Sequence, residues 1–277
     1  MIAEVPWSLH FAFFPSFVIP TTMYEIILLF AAGFFGGILN SLAGGGSFIT
    51  FPALLSVGVP PIIAGATNTY ASMSGYISGA FAYRYDMIRY KKELPKYIGF
   101  ALLGGAIGAW LLLQTPPTVF EEVIPWLMLF ATVLFIFGGK INKRLMGAGK
   151  GERTFISSAL IILFLLAINT YGGFFNAGQG ILFLAYLVLA GYTDINSMNG
   201  LKLVVSSCVA LIAVVLFAVQ GAIAWYEGSV MLLGTLTGGY VAARIARKLP
   251  DQYVRTFVTL MCIVITAYFF VDVYYRS

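Results

Sequence analysis

Leu39-Asn40-Ser41-Leu42-Ala43-Gly44-Gly45-Gly46-Ser47-Phe48 places three consecutive glycines inside an otherwise apolar segment. The pattern returns in Phe175-Asn176-Ala177-Gly178-Gln179-Gly180-Ile181-Leu182, where Gly178 and Gly180 match Gly44 and Gly46 at an offset of 134 residues. Each stretch interrupts what would be a membrane helix. Backbone groups freed at membrane depth are tolerated only where they are buried in protein or line a wet cavity. Paired breaks in the two halves of a chain indicate the binding site of a transporter.

The composition indicates an integral membrane protein. Of the 277 residues, 60% are hydrophobic and 10% are charged, whereas soluble domains carry about 25% charged residues. The apolar runs are continuous, which is typical of membrane helices rather than of barrel strands with alternating polarity. His10 is the single histidine, and Cys208 and Cys262 both lie in apolar runs, so neither a metal site nor a disulfide framework is expected. We predict an all-α polytopic membrane protein that contacts the lipid bilayer and has no cofactor.

The chain divides into ten apolar segments. A full membrane span needs about 20 residues, and the segments 47–58 and 180–192, which follow the two glycine stretches, are shorter. They are therefore candidates for half-helices or for broken or re-entrant spans, and eight to ten crossings are expected. The segments are 23–42, 47–58, 64–83, 97–113, 125–139, 154–174, 180–192, 199–219, 229–245 and 255–275.

The basic residues predict the orientation. Fourteen of the sixteen lie in three short regions, while the loops 114–124 and 220–228 carry only acidic charge. By the positive-inside rule the basic regions are cytoplasmic and the acidic loops and both termini lie outside, so the basic pI indicates membrane topology rather than a nucleic-acid partner. The three regions are Arg84, Arg89, Lys91, Lys92 and Lys96; Lys140, Lys143, Arg144, Lys150 and Arg153; and Arg244, Arg247, Lys248 and Arg255.

Two repeats of inverted topology follow from this orientation. Leu102-Leu103-Gly104 matches Leu232-Leu233-Gly234 at an offset of 130 residues, and the equivalent loops of the two halves carry opposite charge. The predicted division is an N-terminal lead-in at 1–22, a first transmembrane repeat at 23–139, a basic cytoplasmic linker at 140–153 and a second repeat at 154–277. The lead-in lacks the basic start of a signal peptide and contains prolines, so we interpret it as peripheral or extra-cytoplasmic.

The breaks are suited to bind an anion. A helix that begins after a glycine turn presents free N–H groups and the positive end of its dipole. We predict that N–H groups within 45–48 and 178–181 bind an anion between the two helix starts. The alternative is that the glycines only allow close helix packing, which we assign to Gly104, Gly105, Gly108, Gly234, Gly238 and Gly239.

Polar residues near both breaks are the other site candidates. Such groups are costly in lipid and face a cavity or another helix, so each has interhelical hydrogen bonding as its alternative role. Lys202 could supply fixed positive charge, or its side chain could extend to the membrane surface. Asp194 could pair with Lys202 or carry a proton, or it could simply start a helix. The predicted substrate-binding set is Asn40, Gly45, Gly46, Ser47, Phe48, Thr67, Asn68, Asn176, Gly178, Gln179, Gly180, Asn199 and Lys202.

These motifs resemble the TauE/SafE family of sulfite and organosulfonate exporters. The residues from Asn40 to Leu55, a glycine-rich turn followed by a helix with Pro52, are similar to the first family signature. The stretches 64–69 and 199–202 resemble further segments, and the chain departs from the family pattern at Gln179 and Tyr186. The resemblance covers residues 24–275. It implies an inner-membrane secondary transporter that moves sulfite, a sulfonate such as sulfoacetate or a related oxyanion outward.

The predicted function is thus a secondary transporter with a small anion as its substrate and protons as possible coupling ions, located in a bacterial inner membrane. No ATP-binding motif and no catalytic constellation is present in the sequence, so an enzyme is not expected. Competing hypotheses are a passive anion channel, a carrier of a different small anion, a membrane-embedded enzyme and a non-transporting scaffold. The sequence leaves the substrate, the direction, the coupling ion and the oligomeric state open.

Overall fold

The computed structural model describes residues 22–42, 44–147, 155–245 and 251–275. These residues form ten α-helices and a short 3-10 helix at Ile88–Tyr90, and the described part of the chain contains no strand. The helices are α1 (Met23–Leu42), α2 (Ser47–Ser56), α3 (Pro61–Ala82), α4 (Leu94–Gln114), α5 (Pro117–Gly147), α6 (Phe155–Phe174), α7 (Gln179–Leu189), α8 (Ile195–Val219), α9 (Trp225–Ile245) and α10 (Asp251–Tyr275).

The helix lengths confirm the predicted class, an all-α polytopic membrane protein. Four helices of the described residues, α1, α4, α5 and α8, are long and apolar enough to cross a membrane. The two helices that follow the glycine stretches are short, with 10 residues in α2 and 11 in α7. At 1.5 Å per residue each covers roughly half of a hydrocarbon core of about 30 Å. Each is therefore too short to cross the membrane alone.

Glycines bring two pairs of helices into backbone contact. On α1, a Cβ added to Gly33 would lie 2.2 Å from the Met231 carbonyl oxygen, and one added to Gly37 would lie 2.3 Å from that of Thr235 on α9. On α4, a Cβ added to Gly108 would lie 2.0 Å from the Thr170 carbonyl oxygen on α6. No side chain fits in these crossings. The packing role predicted for the glycines of α4 and α9 is confirmed.

The directions of the helices place their starts at two ends of the molecule. Later residues of α1 and of α3 contact later residues of α9, so these three helices run parallel. They begin at the same end of the molecule, which we call the α1 end. α4 follows α3 after a short connection and therefore begins at the opposite end, the α4 end. The contacts between α4 and α6 also advance together, so α6 begins at the α4 end as well. α8 begins there too, because it ends where α9 starts.

Helix contacts in the two halves correspond pair by pair. α1 packs on α9 as α6 packs on α4, and α3 packs on α9 as α8 packs on α4. α2 contacts α1 and α3, and α7 makes the same contacts with α6 and α8. In two further pairs, α3 with α8 and α5 with α10, a helix packs on its own counterpart in the other half. Matching helices, such as α4 and α9, begin at opposite ends.

The first half extends further than the apolar pattern indicated. α5 begins at Pro117, because proline suits the first turn of a helix, so only two residues separate it from α4. It continues to Gly147, and the segment 140–153 predicted as a linker therefore begins inside a helix. The lead-in up to residue 21 lies outside the described residues, as do Lys150, Arg153, Arg247 and Lys248 of the basic regions.

Candidate functional site

The first helix break lies between α1 and α2. Gly44 adopts a left-handed conformation with φ of 79°, which favours glycine because a Cβ would be strained there. Its N–H donates to the Leu39 carbonyl at 2.9 Å and so closes the end of α1. The chain then turns and starts α2 at Ser47, with the N–H of Phe48 donating to the Gly45 carbonyl at 3.2 Å.

The second break repeats the left-handed glycine of the first. Gly178, the residue that matches Gly44, is also left-handed, with φ of 81°, and it directly precedes α7. Asn176 is left-handed as well, with φ of 67°, a conformation that asparagine tolerates better than most residues. The hydroxyl of Tyr171 donates to the Ala177 carbonyl at 2.7 Å and fixes the loop against the end of α6.

The two breaks contact each other. A Cβ added to Gly44 would lie 3.8 Å from the Cα of Gly180, and the rings of Phe51 and Phe175 are 5.5 Å apart. Both breaks also pack on adjacent turns of α5, where added Cβ atoms would lie 3.1 Å from the Phe135 ring for Gly45 and 3.4 Å from Ala131 for Gly178. The glycine stretches of the two halves therefore form one buried region.

The polar side chains at the first break are mostly paired with one another. The Asn40 side-chain oxygen accepts from the Gly46 N–H at 2.8 Å, and the Asn68 amide donates to the Ser47 hydroxyl at 3.1 Å. Asn68 also accepts a hydrogen bond from the Thr50 hydroxyl. All of these groups are buried. Within this cluster the amide nitrogen of Asn40 is left without a partner.

At the second break the amide side chains are buried but largely unpaired. Both amide atoms of Gln179, which is 1% exposed, have no partner among the described residues. The side-chain oxygen of Asn176 accepts a hydrogen bond from the Tyr76 hydroxyl at 3.0 Å, while its amide nitrogen has no partner in the part of the chain that the structure describes. A buried polar group without a partner costs free energy, of the order of 1–3 kcal/mol. This break therefore has hydrogen-bond donors that the protein itself does not use.

Lys202 lies against the second break. It is 2% exposed, and its aliphatic chain would lie 3.1 Å from a Cβ on Gly180. Its ammonium group donates to the Asn199 side-chain oxygen at 3.1 Å, and no carboxylate of the described residues forms an ion pair with it. Of the two predicted alternatives, the structure therefore has the lysine side chain inside the protein and not extended to the membrane surface.

Asn68 and Lys202 hold equivalent places in the two halves. Each is the eighth residue of its helix, α3 or α8, and each contacts the start of the short helix that follows a break. The 134-residue offset that relates the two glycine stretches also relates Lys202 to Asn68. Tyr70, two residues further along α3, packs on Trp225 of α9 with ring centroids 5.2 Å apart.

Three predicted positions take part in packing or internal hydrogen bonds. Thr67 accepts from the Ala224 N–H at 3.0 Å, just before α9, and the Phe48 ring packs on Phe135 at 6.2 Å between centroids. The N–H groups of Gly46 and Phe48 are paired, as described above. No described residue accepts from the N–H groups of Gly45, Ser47, Gly178 or Gly180, so these four are the backbone donors that are left.

Other residues of the site were missed from the sequence. Tyr76 reaches from α3 to Asn176, and Thr50 joins α2 to Asn68. Tyr76 lies two turns beyond Asn68, with buried Ser72 between them, and this spacing of four residues was the available signal. Asp194 caps α8 by accepting from the Ser197 N–H at 3.1 Å, so it starts a helix and does not pair with Lys202.

The site offers donors of the kind that an anion accepts from, and the described residues offer no ligand set for a metal. The described residues contain no group of three or more histidine, cysteine, aspartate or glutamate side chains that could hold a metal ion. The ammonium of Lys202 has further donors beyond the one that Asn199 accepts. The lysine, the unpaired amides and the free N–H groups together provide several hydrogen-bond donors and one positive charge. The start of α2 at the first break adds the positive end of a second helix dipole.

These features define a multi-pass helical membrane protein with two facing helix breaks, and comparisons of its sequence give its family. The sequence model described as "Sulfite exporter TauE/SafE" matches residues 29–269, so the chain belongs to this family of membrane transporters. The predicted family resemblance is confirmed. No solved structure matches the chain.

Bacterial relatives agree with this family. A "Probable membrane transporter protein" of Haemophilus influenzae is 29% identical over 245 residues, 87% of this chain and 93% of the relative. One from a Sinorhizobium species, "Probable membrane transporter protein ORF9", is 29% identical over 86% of this chain and 89% of its own length. "Probable membrane transporter protein YfcA" of Escherichia coli K12 is 24% identical over 87% of each chain. The chain is therefore a membrane transporter.

Proposed function

We propose that the protein is a secondary transporter that exports a small sulfur oxyanion, sulfite or an organosulfonate such as sulfoacetate, in exchange for protons. The family description supports sulfite as the first substrate to test. The main support for an anion site is the set of buried, unpaired donors near Lys202 where the two breaks meet. A bound oxyanion would accept from these donors and balance the buried ammonium.

The proposed site lies between Lys202 and the starts of α2 and α7. The ammonium of Lys202, the amides of Asn176 and Gln179, and the N–H groups of Gly178 and Gly180 would bind the oxygens of the anion. The N–H groups of Gly45 and Ser47 would contribute from the first break. The paired residues of the first break, Asn40, Asn68 and Thr50, would hold α1, α2 and α3 in place around it, with Asn199 positioning the lysine.

Burial of the donors favours a carrier over an open channel. Lys202, Asn176 and Gln179 are each at most 3% exposed, so an anion reaches them only when helices separate. We propose that the two halves are inverted repeats, an idea supported by the matching helix contacts and opposite helix directions. In such transporters one group of helices moves against another to open the site to either side.

We also propose that the protein lies in a bacterial inner membrane with the α4 end in the cytoplasm. The exposed side chains of Arg84, Arg89, Lys91 and Lys92 lie in the connection between α3 and α4, at that end of the molecule. The positive-inside rule assigns such a basic connection to the cytoplasm. The α1 end would then face outside.

Flux of sulfite and sulfoacetate into and out of proteoliposomes, with and without an imposed pH gradient, tests the proposal. We expect saturable flux of at least one of the two anions that responds to the gradient. Flux that does not saturate and gives unitary currents would instead indicate a channel. Flux of neither anion, in protein that remains monodisperse, would contradict the proposed substrate class.

A further inference from the structure

Glu227 is a buried carboxylic acid that the proposed anion site does not use. It is the third residue of α9 and is 2% exposed, and its Oε1 atom is buried without a hydrogen-bond partner among the described residues. An ionised carboxylate is strongly disfavoured in such a place unless it is paired, because burial removes its hydration. No lysine or arginine in the described part of the chain forms an ion pair with it.

The groups that face Glu227 come from the two helices packed on α9. On α1, Glu25 is the neighbouring charged group, and its negative charge further disfavours ionisation of Glu227. On α3, the titratable group nearby is Tyr70, whose ring would lie 2.9 Å from a Cβ added to Gly228. The first turn of a helix has the opposite influence, since its free N–H groups and dipole favour a negative charge. Burial and the charge of Glu25 thus act against the negative charge that the helix start favours.

Contacts of the residues around Glu227 lead to the first break. Hydrogen bonds join the chain on either side of Glu227 to α3. The Ala224 N–H donates to the Thr67 hydroxyl at 3.0 Å, and the hydroxyls of Ser229 and Tyr70 are hydrogen-bonded at 3.3 Å. Thr67 directly precedes Asn68, which binds Ser47 at the start of α2. A change in the charge at Glu227 therefore acts on the contact between α9 and α3 one residue away from the first break.

We propose that Glu227 binds the coupling proton of the transport cycle. This inference rests on the proposed function, the exchange of an anion for protons. It assigns the exchanged proton to one carboxyl group at the α1 end. The carboxylate takes up one proton to give the neutral acid and later releases the same proton, with no other reactant. The neutral form suits the buried contact of α9 with α1 and α3, and the ionised form favours its separation.

The transport test uses Glu227→Gln, an uncharged side chain of the same shape, in proteoliposomes with a pH gradient. We expect this variant to keep exchange of anion between the two sides while its flux no longer responds to the gradient. Glu227→Asp, which keeps a titratable carboxyl, should retain the response. Glu25→Gln on the neighbouring helix is the matched control and should also retain it. A response of wild-type size in Glu227→Gln would overturn the proposal.

A second readout does not depend on anion flux. Infrared spectra of the purified protein over a range of pH should contain a protonated-carboxyl band that titrates in the wild type and is missing in Glu227→Gln. The absence of any such difference between the two proteins would overturn the proton site. If this band titrates but the wild type moves no anion, the proposed substrate fails while Glu227 stands as a proton-binding group.

Discussion

Asn68 and Lys202 occupy the same place in the two halves of the protein, yet they serve their helix breaks differently. At the first break Asn68 is paired with Ser47 and Thr50, and this part of the structure satisfies most of its own hydrogen bonds. At the second break Lys202 adds a buried charge, and the Gln179 amide and the Asn176 amide nitrogen have no partner among the described residues. The two breaks thus share a left-handed glycine, but the polar groups around it are mostly paired at the first break and largely unpaired at the second.

The comparison predicts where substitutions affect stability and where they affect transport. Paired groups of the first break contribute to folding, because their loss leaves buried partners unsatisfied. Unpaired groups of the second break cost stability in the empty protein and would gain partners only from a substrate. Enzymes and binding proteins commonly keep such locally unfavourable groups at functional sites.

The largest effect is expected for glycine at the breaks. Gly178→Leu forces a side chain into a left-handed conformation and against Ala131, and Gly45→Leu directs one at the ring of Phe135. We expect both variants to lose transport in the proteoliposome assay while they still insert into the membrane. Gly58→Leu is the matched control for strain, since Gly58 has φ of 83° and open space around its Cβ position.

The control separates backbone strain from the site itself. Gly58→Leu should keep its transport, at a cost in stability of about 1–2 kcal/mol. Normal flux in both Gly178→Leu and Gly45→Leu would contradict the assignment of the breaks to the substrate site. Equal loss in all three variants would indicate general destabilisation instead.

Lys202→Met is expected to have the next largest effect on transport. Removal of the charge should lower transport by about 10- to 100-fold, because a charged hydrogen bond contributes about 1.5–3 kcal/mol and each 1.4 kcal/mol is tenfold. The melting temperature of the empty protein should stay the same or rise, since a buried charge without a counter-ion is unfavourable. Lys202→Arg should keep part of the flux. A large fall in melting temperature in Lys202→Met would instead give the lysine a structural role.

A pair of amide substitutions compares the two breaks directly. Asn68→Leu removes two buried side-chain hydrogen bonds and should lower the free energy of unfolding by about 2 kcal/mol. Gln179→Met has a similar volume and removes an amide without partners, so it should leave stability unchanged or raise it while it weakens transport by about tenfold. Thermal unfolding in detergent and flux measurements check both. The opposite pattern would reverse the roles assigned to the breaks.

The smallest expected effect concerns the start of α8, the helix that carries Lys202. The hydrogen bonds from Ser197 lower the pKa of Asp194, and Asp194→Ala should lower the free energy of unfolding by about 1 kcal/mol at neutral pH. Because the folded-state pKa is lowered, this contribution is present above the unfolded pKa of about 3.9 and is lost as the pH falls through the folded value. Unfolding at neutral and acidic pH checks this: a difference that persists in acid would contradict the capping role.

The sequence predicted the elements well because lipid exposure dictates apolar runs. The segments 23–42 and 154–174 agree with α1 and α6 within a residue, and the glycine stretches mark where both helices end. The early start of α5 at Pro117 was missed, since its first turns contain Glu121 and Glu122 and resemble a loop. Apolar runs locate the part of a helix inside lipid and not its polar ends.

Part of the candidate site could be identified from the sequence. The glycine breaks, Lys202 and the amides of Asn176 and Gln179 were all identified from their polar character in apolar surroundings. Which polar groups are paired could not be derived, because partners such as Tyr76 come from distant helices. The match of Asn68 with Lys202 was missed although the 134-residue offset of the glycine stretches relates these two residues as well.

Equilibrium binding of radiolabelled sulfite to the detergent-solubilised protein tests the central claim most directly. The wild type should bind the anion saturably, Asn68→Leu should bind it in its folded fraction, and Lys202→Met should show no detectable binding although it remains folded. Sulfite binding by Lys202→Met with wild-type affinity would contradict an anion site built on the second break.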